Sequence, residues 1–254
     1  MIRVVDVETT GVDAAKDRVV EVAAVPVRLG PGSNENAPCF NAEIGEGASS
    51  LVYPAIPIPP TASAVHHLID EDVESAPPLG RAINQILGPF WQADQQRIFV
   101  AHSARFDRSF LPPLQEGSQW ICTYRCALHV WPEAPRHSNQ TLRYWLKLPV
   151  SRDLPVHRAL GDAVVTAHLF ARLLQERSLD DLLKLSTKAV LLKRLTFGKH
   201  KDRLWTEVPT DYIEWFISQK PDDPDERYTA KYELARRRGV LPTQQAQQQE
   251  TANG

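Results

Sequence analysis

Three short segments of this chain each carry carboxylates that could meet at one site. They are Val4-Val5-Asp6-Val7-Glu8-Thr9-Thr10-Gly11, Val100-Ala101-His102-Ser103-Ala104-Arg105-Phe106-Asp107 and His157-Arg158-Ala159-Leu160-Gly161-Asp162. Strand-like runs precede the first two, and a helical pattern follows the third. Asp6, Glu8, Asp107, Asp162 and His157 together make a parts list for two-metal hydrolysis of a phosphodiester.

The remainder of the chain sets limits on that reading. Its 254 residues allow one large domain, or an ordinary domain with a small appendage. A net charge of −2 gives no global pull toward nucleic acid, so a polyanion must be held by a local basic patch or by bound metal. No apolar run is long enough to span a bilayer, and the N-terminus opens on a strand pattern. The expectation is a soluble, unprocessed, cytoplasmic protein that does not engage a membrane. Cys39, Cys122 and Cys126 are an odd set, which suits a reducing compartment without disulfides. Cys122, Cys126 and His129 have helical spacing, but zinc wants a fourth ligand and free cysteine is commonly buried.

Ile2 to Val7 reads as a buried strand, and Val19 to Val27 as a second one forming a hairpin with it. A turn over residues 29–35 leads to a third strand near Phe40 to Ile44. Pro54 to Pro60 carries four prolines and reads as an extended loop before a short helix with His66 and His67. Leu79 to Trp91 has helical spacing. Arg97 to Ala101 is another strand, followed by a helix presenting Asp107. Asn139 to Leu148 and Ala163 to Arg177 are amphipathic helices. Strands first, then strands alternating with helices, predict an α/β or α+β domain over residues 1–180. Residues 181–241 form a mainly helical appendage, with helices at Asp211 to Ser218 and Asp225 to Arg238 around Pro221-Asp222-Asp223-Pro224. Residues 242–254 are a Gln-rich tail expected to be disordered.

Asp6 and Glu8 are two apart on a strand, so both carboxylates share a face. Like charges on one face repel unless a cation sits between them, and Val4, Val5 and Val7 argue for burial. Mg²⁺ or Mn²⁺ resolves the conflict, because both prefer oxygen ligands; a salt-bridged acid pair is the alternative. Asp107 and Asp162, each taken alone, are ordinary first-turn acids that complement a helix dipole. His157 on the loop before Asp162 can take the proton of a metal-bound water. His66, His67, His102, His129, His137, His168 and His200, taken singly, read as structural.

The segments Asp-Val-Glu-Thr-Thr-Gly, Ala-His-Ser-Ala-Arg-Phe-Asp and His-Arg-Ala-Leu-Gly-Asp resemble the three exonuclease motifs of the DEDDh family. The likeness runs over the first 180 or so residues, a normal domain length. It implies a ribonuclease H-like mixed sheet flanked by helices. It also implies two Mg²⁺ or Mn²⁺ ions about 4 Å apart, with no organic cofactor. Asp6 would bridge the ions, Glu8 and Asp162 would complete one, and Asp107 would hold the other. His157 would be the general base. Thr9, Thr10, Gly11 and Val12 would line the terminal nucleotide, with His102, Ser103 and Phe106 of the second motif beside it. Ser103 stands where the family usually has Asn, and loses the amide's paired donor and acceptor. Val12 could press on the terminal base or pack on the core.

Thr196 to Lys201, Asp211 to Trp215 and Glu226 to Thr229 resemble the appendage of one bacterial member of that family. Between Leu182 and Trp205 seven cations face the single acid Asp202. That is a concentration of one sign suited to a polyanion or to a solvated face. Lys193, Arg194, Lys199, Lys201 and Arg203 are the candidate phosphate contacts. The expectation is a 3′→5′ exonuclease acting on DNA 3′ ends, preferentially single-stranded, that releases nucleoside 5′-monophosphates. Its rivals are an RNA exonuclease on the same scaffold, and a non-catalytic end-binding or polymerase-associated module.

Overall fold

The structure is a computed structural model that describes residues 2–30, 36–88, 97–219 and 223–240. Two compact units divide it, Met1–Thr187 and Lys188–Gly254. The strands in chain order are β1 (Ile2–Thr9), β2 (Val19–Arg28), β3 (Glu43–Ile44), β4 (Ala48–Leu51), β5 (Arg97–Ala101) and β6 (Ser118–Cys122). The helices are α1 (Pro60–His66), α2 (Asp70–Val73), α3 (Leu79–Leu87), α4 (Ala104–Phe110), α5 (Thr123–Val130), α6 (Asn139–Trp145), α7 (Ala159–Glu176) and α8 (Leu179–Leu185). In the second unit α9 (Thr210–Ser218) and α10 (Pro224–Arg237) follow.

The first unit is built on one mixed sheet in the order β3-β2-β1-β5-β6, with β4 also pairing to β2. β1 lies at its centre, antiparallel to β2 and parallel to β5, and β5 is parallel to β6. A strand buried on both faces reads as a continuous apolar run, as Ile2 to Val7 does. Ile2 and Val4 pack beneath α7 with Ala159, Ala163, Ala167 and Phe170. Val5 and Val7 face the opposite core with Phe99, Phe110 and Leu111. The alanines recur every four residues and keep that side of α7 shallow, so the helix lies close on the strands. Asp6 and Glu8 continue the row begun by Ile2 and Val4, and that row runs out beside the first turn of α7.

Several expectations need correcting. β4 is absent from the sequence reading because Ala48-Ser49-Ser50 carries no apolar alternation. α2 and β6 are also unforeseen, the first a single acidic turn and the second short. α7 starts at Ala159, not Ala163. α6 ends at Trp145, before Lys147, which takes a left-handed φ of 52°. α8 belongs to the first unit, since Leu179 and Leu182 are buried in the core beneath α7, so that unit ends at Thr187 and not near residue 180. The helical reading of 89–91, most of the turn over 29–35, Pro221, Asp222 and the tail from 242 onward lie outside the described residues.

The second unit has a core of its own. Leu195, Trp205, Val208, Ile213, Phe216 and Ala230 are buried together, with Phe197 and Tyr212 against them. Trp215 is half exposed and does not join that buried face. Among the described residues, no helix is long and apolar enough to cross a membrane.

Candidate active site

Asp6, Glu8 and Asp162 each offer a carboxylate oxygen, and the three oxygens lie within 4.8 Å of one another. Among the described residues this is the one group of three or more side chains able to ligate a metal in common. Asp107, fully buried in the first turn of α4, is close enough for its charge to be felt at Asp6. None of Asp6, Glu8 and Asp162 forms an ion pair among the described residues.

Burial raises the pKa of every one of these acids. Asp6 is driven well above the carboxylate range by burial, then by Asp107, Asp162 and Glu8. Glu8 is pushed to about 8 by burial and by Asp162 and Glu21, against a smaller pull from Arg158. Burial lifts Asp107 to about 7 although backbone hydrogen bonds, one from Val7, oppose it. Asp162 is raised by burial against hydrogen bonds from Gln140 and His157. Asp6, Glu8 and Asp162, clustered at such a cost with Asp107 nearby and with no ion pair of their own among the described residues, are the kind of donor set a hard divalent ion relieves. The residues present therefore fit Mg²⁺ or Mn²⁺.

Asp162 is held from both sides. Gln140 Nε2 donates to its Oδ1 at 2.8 Å, and the His157 amide donates to its Oδ2 at 3.0 Å. His157 is exposed and left-handed, at φ 58°. Its loop lies against the helix because Gly161 has no side chain, since a Cβ there would collide with the Pro155 carbonyl oxygen.

Glu21 and Arg158 escaped the sequence reading. Glu21 is buried on β2 directly across from Glu8. It receives Arg158 Nε at 2.9 Å, Arg158 Nη2 at 3.0 Å and the Ala159 amide at 3.1 Å. A carboxylate from another strand thus caps α7, whose N-cap residue Arg158 supplies no side-chain cap of its own. The signal available was a lone acid inside the apolar run Val19 to Val27.

The remaining candidates divide. Thr9 and Thr10 are buried, and their hydroxyls are committed to the loop, Thr9 Oγ1 to the Gly11 carbonyl and Thr10 Oγ1 to Asp17 and the Arg18 amide. At Gly11 a Cβ would crowd the Asp17 carboxylate, which Thr10 Oγ1 and the Asp13 amide hold in place. Val12 is 85% exposed, so it does not pack on the core. Ser103 is exposed at the start of α4 and makes no capping bond. Phe106 is half-buried, its ring 4.9 Å from that of Phe110.

His102 departs from the substrate-contact expectation. Its Nε2 donates to the His137 carbonyl at 2.9 Å, so in the neutral ring Nδ1 accepts from Thr123 Oγ1 at 3.0 Å. Burial lowers its pKa to about 4, and neither nitrogen is left for a ligand. Cys122 and Cys126 are buried thiols, and burial pushes Cys126 up to about 12, which makes both poor zinc ligands.

The five appendage cations are all exposed. Leu195 N donates to the Arg203 carbonyl and Trp205 N to the Lys193 carbonyl, which sets Lys193, Arg194 and Arg203 on one small antiparallel turn. Arg194 is spent on the Asp202 carbonyl at 2.7 Å, and Lys199 lies over the Tyr212 ring.

A central strand pair of acids facing an acid on a helix start, in a mixed sheet flanked by helices, defines a ribonuclease H-like nuclease. The exonuclease family profile matches residues 4–170, and the chain belongs to that family. It is 29% identical over 242 residues to exodeoxyribonuclease 10 of Escherichia coli, covering 92% of this chain and 99% of that one. The solved structure of exonuclease X in complex with 5′ overhanging duplex DNA superposes with a TM-score of 0.57 at 29% identity. That match covers 73% of this chain and 99% of the other. A zinc-bound complex of E. coli exonuclease I with single-stranded DNA shares the fold at 18% identity and a TM-score of 0.53, over 72% of this chain and 42% of that one.

Proposed function

We propose that this chain is a two-metal-dependent 3′→5′ exonuclease that removes nucleoside 5′-monophosphates from DNA 3′ ends, with single-stranded ends preferred. The observation that carries this is the convergence of Asp6, Glu8 and Asp162 within 4.8 Å, with His157 on the loop bonded to Asp162. The likeness to exodeoxyribonuclease 10, over nearly its whole length, supports DNA as the substrate.

Asp6, Glu8 and Asp162 would hold one Mg²⁺ or Mn²⁺, and Asp6 with Asp107 a second. When bound, such ions lower the pKa of water and neutralise charge on the phosphate and the departing 3′-oxygen. His157 accepts the proton of the attacking water on its imidazole. Its exposed position lets that proton pass to solvent afterwards. Gln140 and the His157 amide occupy one position on each Asp162 oxygen and aim the remaining lone pairs. Gly11 and Val12 lie at the terminal nucleotide, where Val12 offers an exposed apolar surface to the last base. In the appendage, Lys193, Lys199, Lys201 and Arg203 are the cations available to backbone phosphates, while Arg194 chiefly braces the turn. The protein works in the cytoplasm, where buried thiols need no disulfide.

The test uses matched 5′-labelled DNA and RNA oligomers with Mg²⁺, Mn²⁺ or EDTA. DNA shortening from the 3′ end with release of mononucleotides, abolished by EDTA, is the expected result. Faster loss of the RNA would transfer the assignment to an RNA exonuclease. Binding without turnover in either metal would make the chain an end-binding module.

A further inference from the structure

A second, basic surface lies outside the acid cluster and is joined to it by hydrogen bonds. A cleft of about 350 Å³ opens between the C-terminal end of α6 and the segment beyond, lined by Arg143, Tyr144, Lys147, Leu148, Val150 and Arg152. Its lining contains three cations and no acid. Arg143 is buried and already engaged. Its Nη1 donates to Gln140 Oε1 at 3.1 Å and its Nη2 to the Ser151 carbonyl at 2.7 Å. Gln140, one turn back on the same helix, donates to Asp162. One guanidinium therefore braces the cleft wall, the segment leading toward His157 and a metal-ligating acid together.

Lys147 and Arg152 are different. Both are exposed, and neither forms an ion pair among the described residues. Trp145, the last residue of α6, lies five residues past Gln140, a rise of about 7–8 Å along the helix axis, and Lys147 follows two residues beyond it. That offset along the wall suits a phosphate upstream of the one being cut. Tyr144, 63% exposed, stands beside them. Cations gathered without an acid repel one another, and a chain of phosphates offsets that repulsion while releasing its own counterions.

We propose that this cleft is the track along which the DNA strand reaches the acid cluster, with Lys147 and Arg152 holding backbone phosphates just 5′ of the terminal nucleotide. The inference rests on the nuclease reading for the direction of the strand. It adds a binding surface on the catalytic unit itself, separate from the basic appendage.

The experiment compares the intact wild-type chain with Lys147→Ala/Arg152→Ala and Lys147→Glu/Arg152→Glu. Binding of a fluorescent 20-nucleotide oligothymidylate is followed by anisotropy in Ca²⁺ at several salt concentrations. Degradation of the same oligomer is followed in Mg²⁺, and thermal melting checks each fold. Both substituted residues are exposed, so all three proteins should melt alike. The alanine pair should flatten the log K against log salt slope by roughly 1.4, at about 0.7 per lost contact to a single strand. The glutamate pair should bind at least tenfold more weakly. Unchanged slope and affinity in folded variants would overturn the proposal, as would a wild-type chain that does not bind the oligomer. If wild type binds with the expected slope change but does not degrade DNA in Mg²⁺ or Mn²⁺, the nuclease reading falls and the cleft assignment stands.

Discussion

Arg158 grips Glu21 through two hydrogen bonds, 2.9 Å from Nε and 3.0 Å from Nη2, and so fastens β2 to the start of α7. The pair spans 137 positions of sequence. It fixes the loop bearing His157 and the turn bearing Asp162 against β2, the strand paired to the one that bears Asp6 and Glu8. Glu21→Gln keeps the shape but loses the charge that holds the guanidinium and the Ala159 amide. Arg158 is about a third exposed, which dilutes the penalty, so the loss of stability should be about 1–3 kcal/mol. A positioning role further requires kcat to fall, by about tenfold, with KM little changed. Arg158→Lys should keep only part of the wild-type kcat, because an ammonium cannot make the two-point contact. A variant that melts lower yet keeps full kcat would reduce the pair to a stabilising contact.

The raised acids predict how the metal-free protein responds to pH. Glu8 titrates near 8 and Asp107 near 7 in the folded chain, against ordinary carboxylate values once unfolded. Between those limits the folded state binds more protons than the unfolded state, so stability falls as pH rises. In EDTA the melting temperature should therefore be higher near pH 5 than near pH 8. Mg²⁺ should recover the difference at pH 8, where the site is ionised. Glu8→Gln should flatten the EDTA profile. A melting temperature that rises steadily from pH 5 to 8 in EDTA would contradict the burial of these acids.

Asp6→Asn and Asp162→Asn keep the volume of each side chain while removing a charge the metal requires. Turnover should be abolished in both. The metal-free proteins should melt at or above the wild-type temperature at pH 8, because like-charge repulsion is relieved. Activity assays and melting curves on the same preparations check this. Substantial turnover in either folded variant would sink the two-metal assignment.

For His157 the informative replacement is Asn, which tolerates the left-handed backbone found at φ 58° better than Ala does. The His157 amide, and with it the bond to Asp162, survives. Loss of the base alone should lower kcat by roughly 10²–10⁴-fold with melting unchanged. Wild-type turnover in His157→Asn would return that side chain to solvent.

The acids were legible in the sequence because each depends on local geometry. Alternation along a strand puts Asp6 and Glu8 on one face, and helix starts display Asp107 and Asp162. What sequence did not reveal is long-range or weakly patterned. Glu21 caps α7 from across the sheet, which is why the helix begins before any local capping signal. Gln140 reaches Asp162 from 22 positions away. His102 shows the converse error, since its motif suggests a substrate contact while Thr123 and the His137 carbonyl consume both ring nitrogens. β4, with serines at its centre, is held by pairing to β2 and not by any apolar pattern of its own.

The end of the first unit gives a last prediction. The sequence placed it near residue 180, and a chain cut after Leu182 would seem harmless on that reading. Yet the Ser186 hydroxyl accepts the Cys122 amide at 2.9 Å at the end of β6, and Leu183 and Leu185 of α8 pack on the main core. Truncation after Leu182 strips these contacts and leaves the Cys122 amide without that partner, a loss of about 1–3 kcal/mol for the hydrogen bond alone. Truncation after Thr187 keeps them all. The longer fragment should therefore melt several degrees above the shorter one. If Lys193, Lys199, Lys201 and Arg203 contact phosphates, the longer fragment should also show a raised KM on long DNA and a flatter salt dependence than the full chain, with kcat on a short oligomer nearly intact. Melting and salt titration of both fragments read the two effects separately. A fragment ending at Thr187 that is well folded and keeps the full salt slope would remove the appendage from the DNA path.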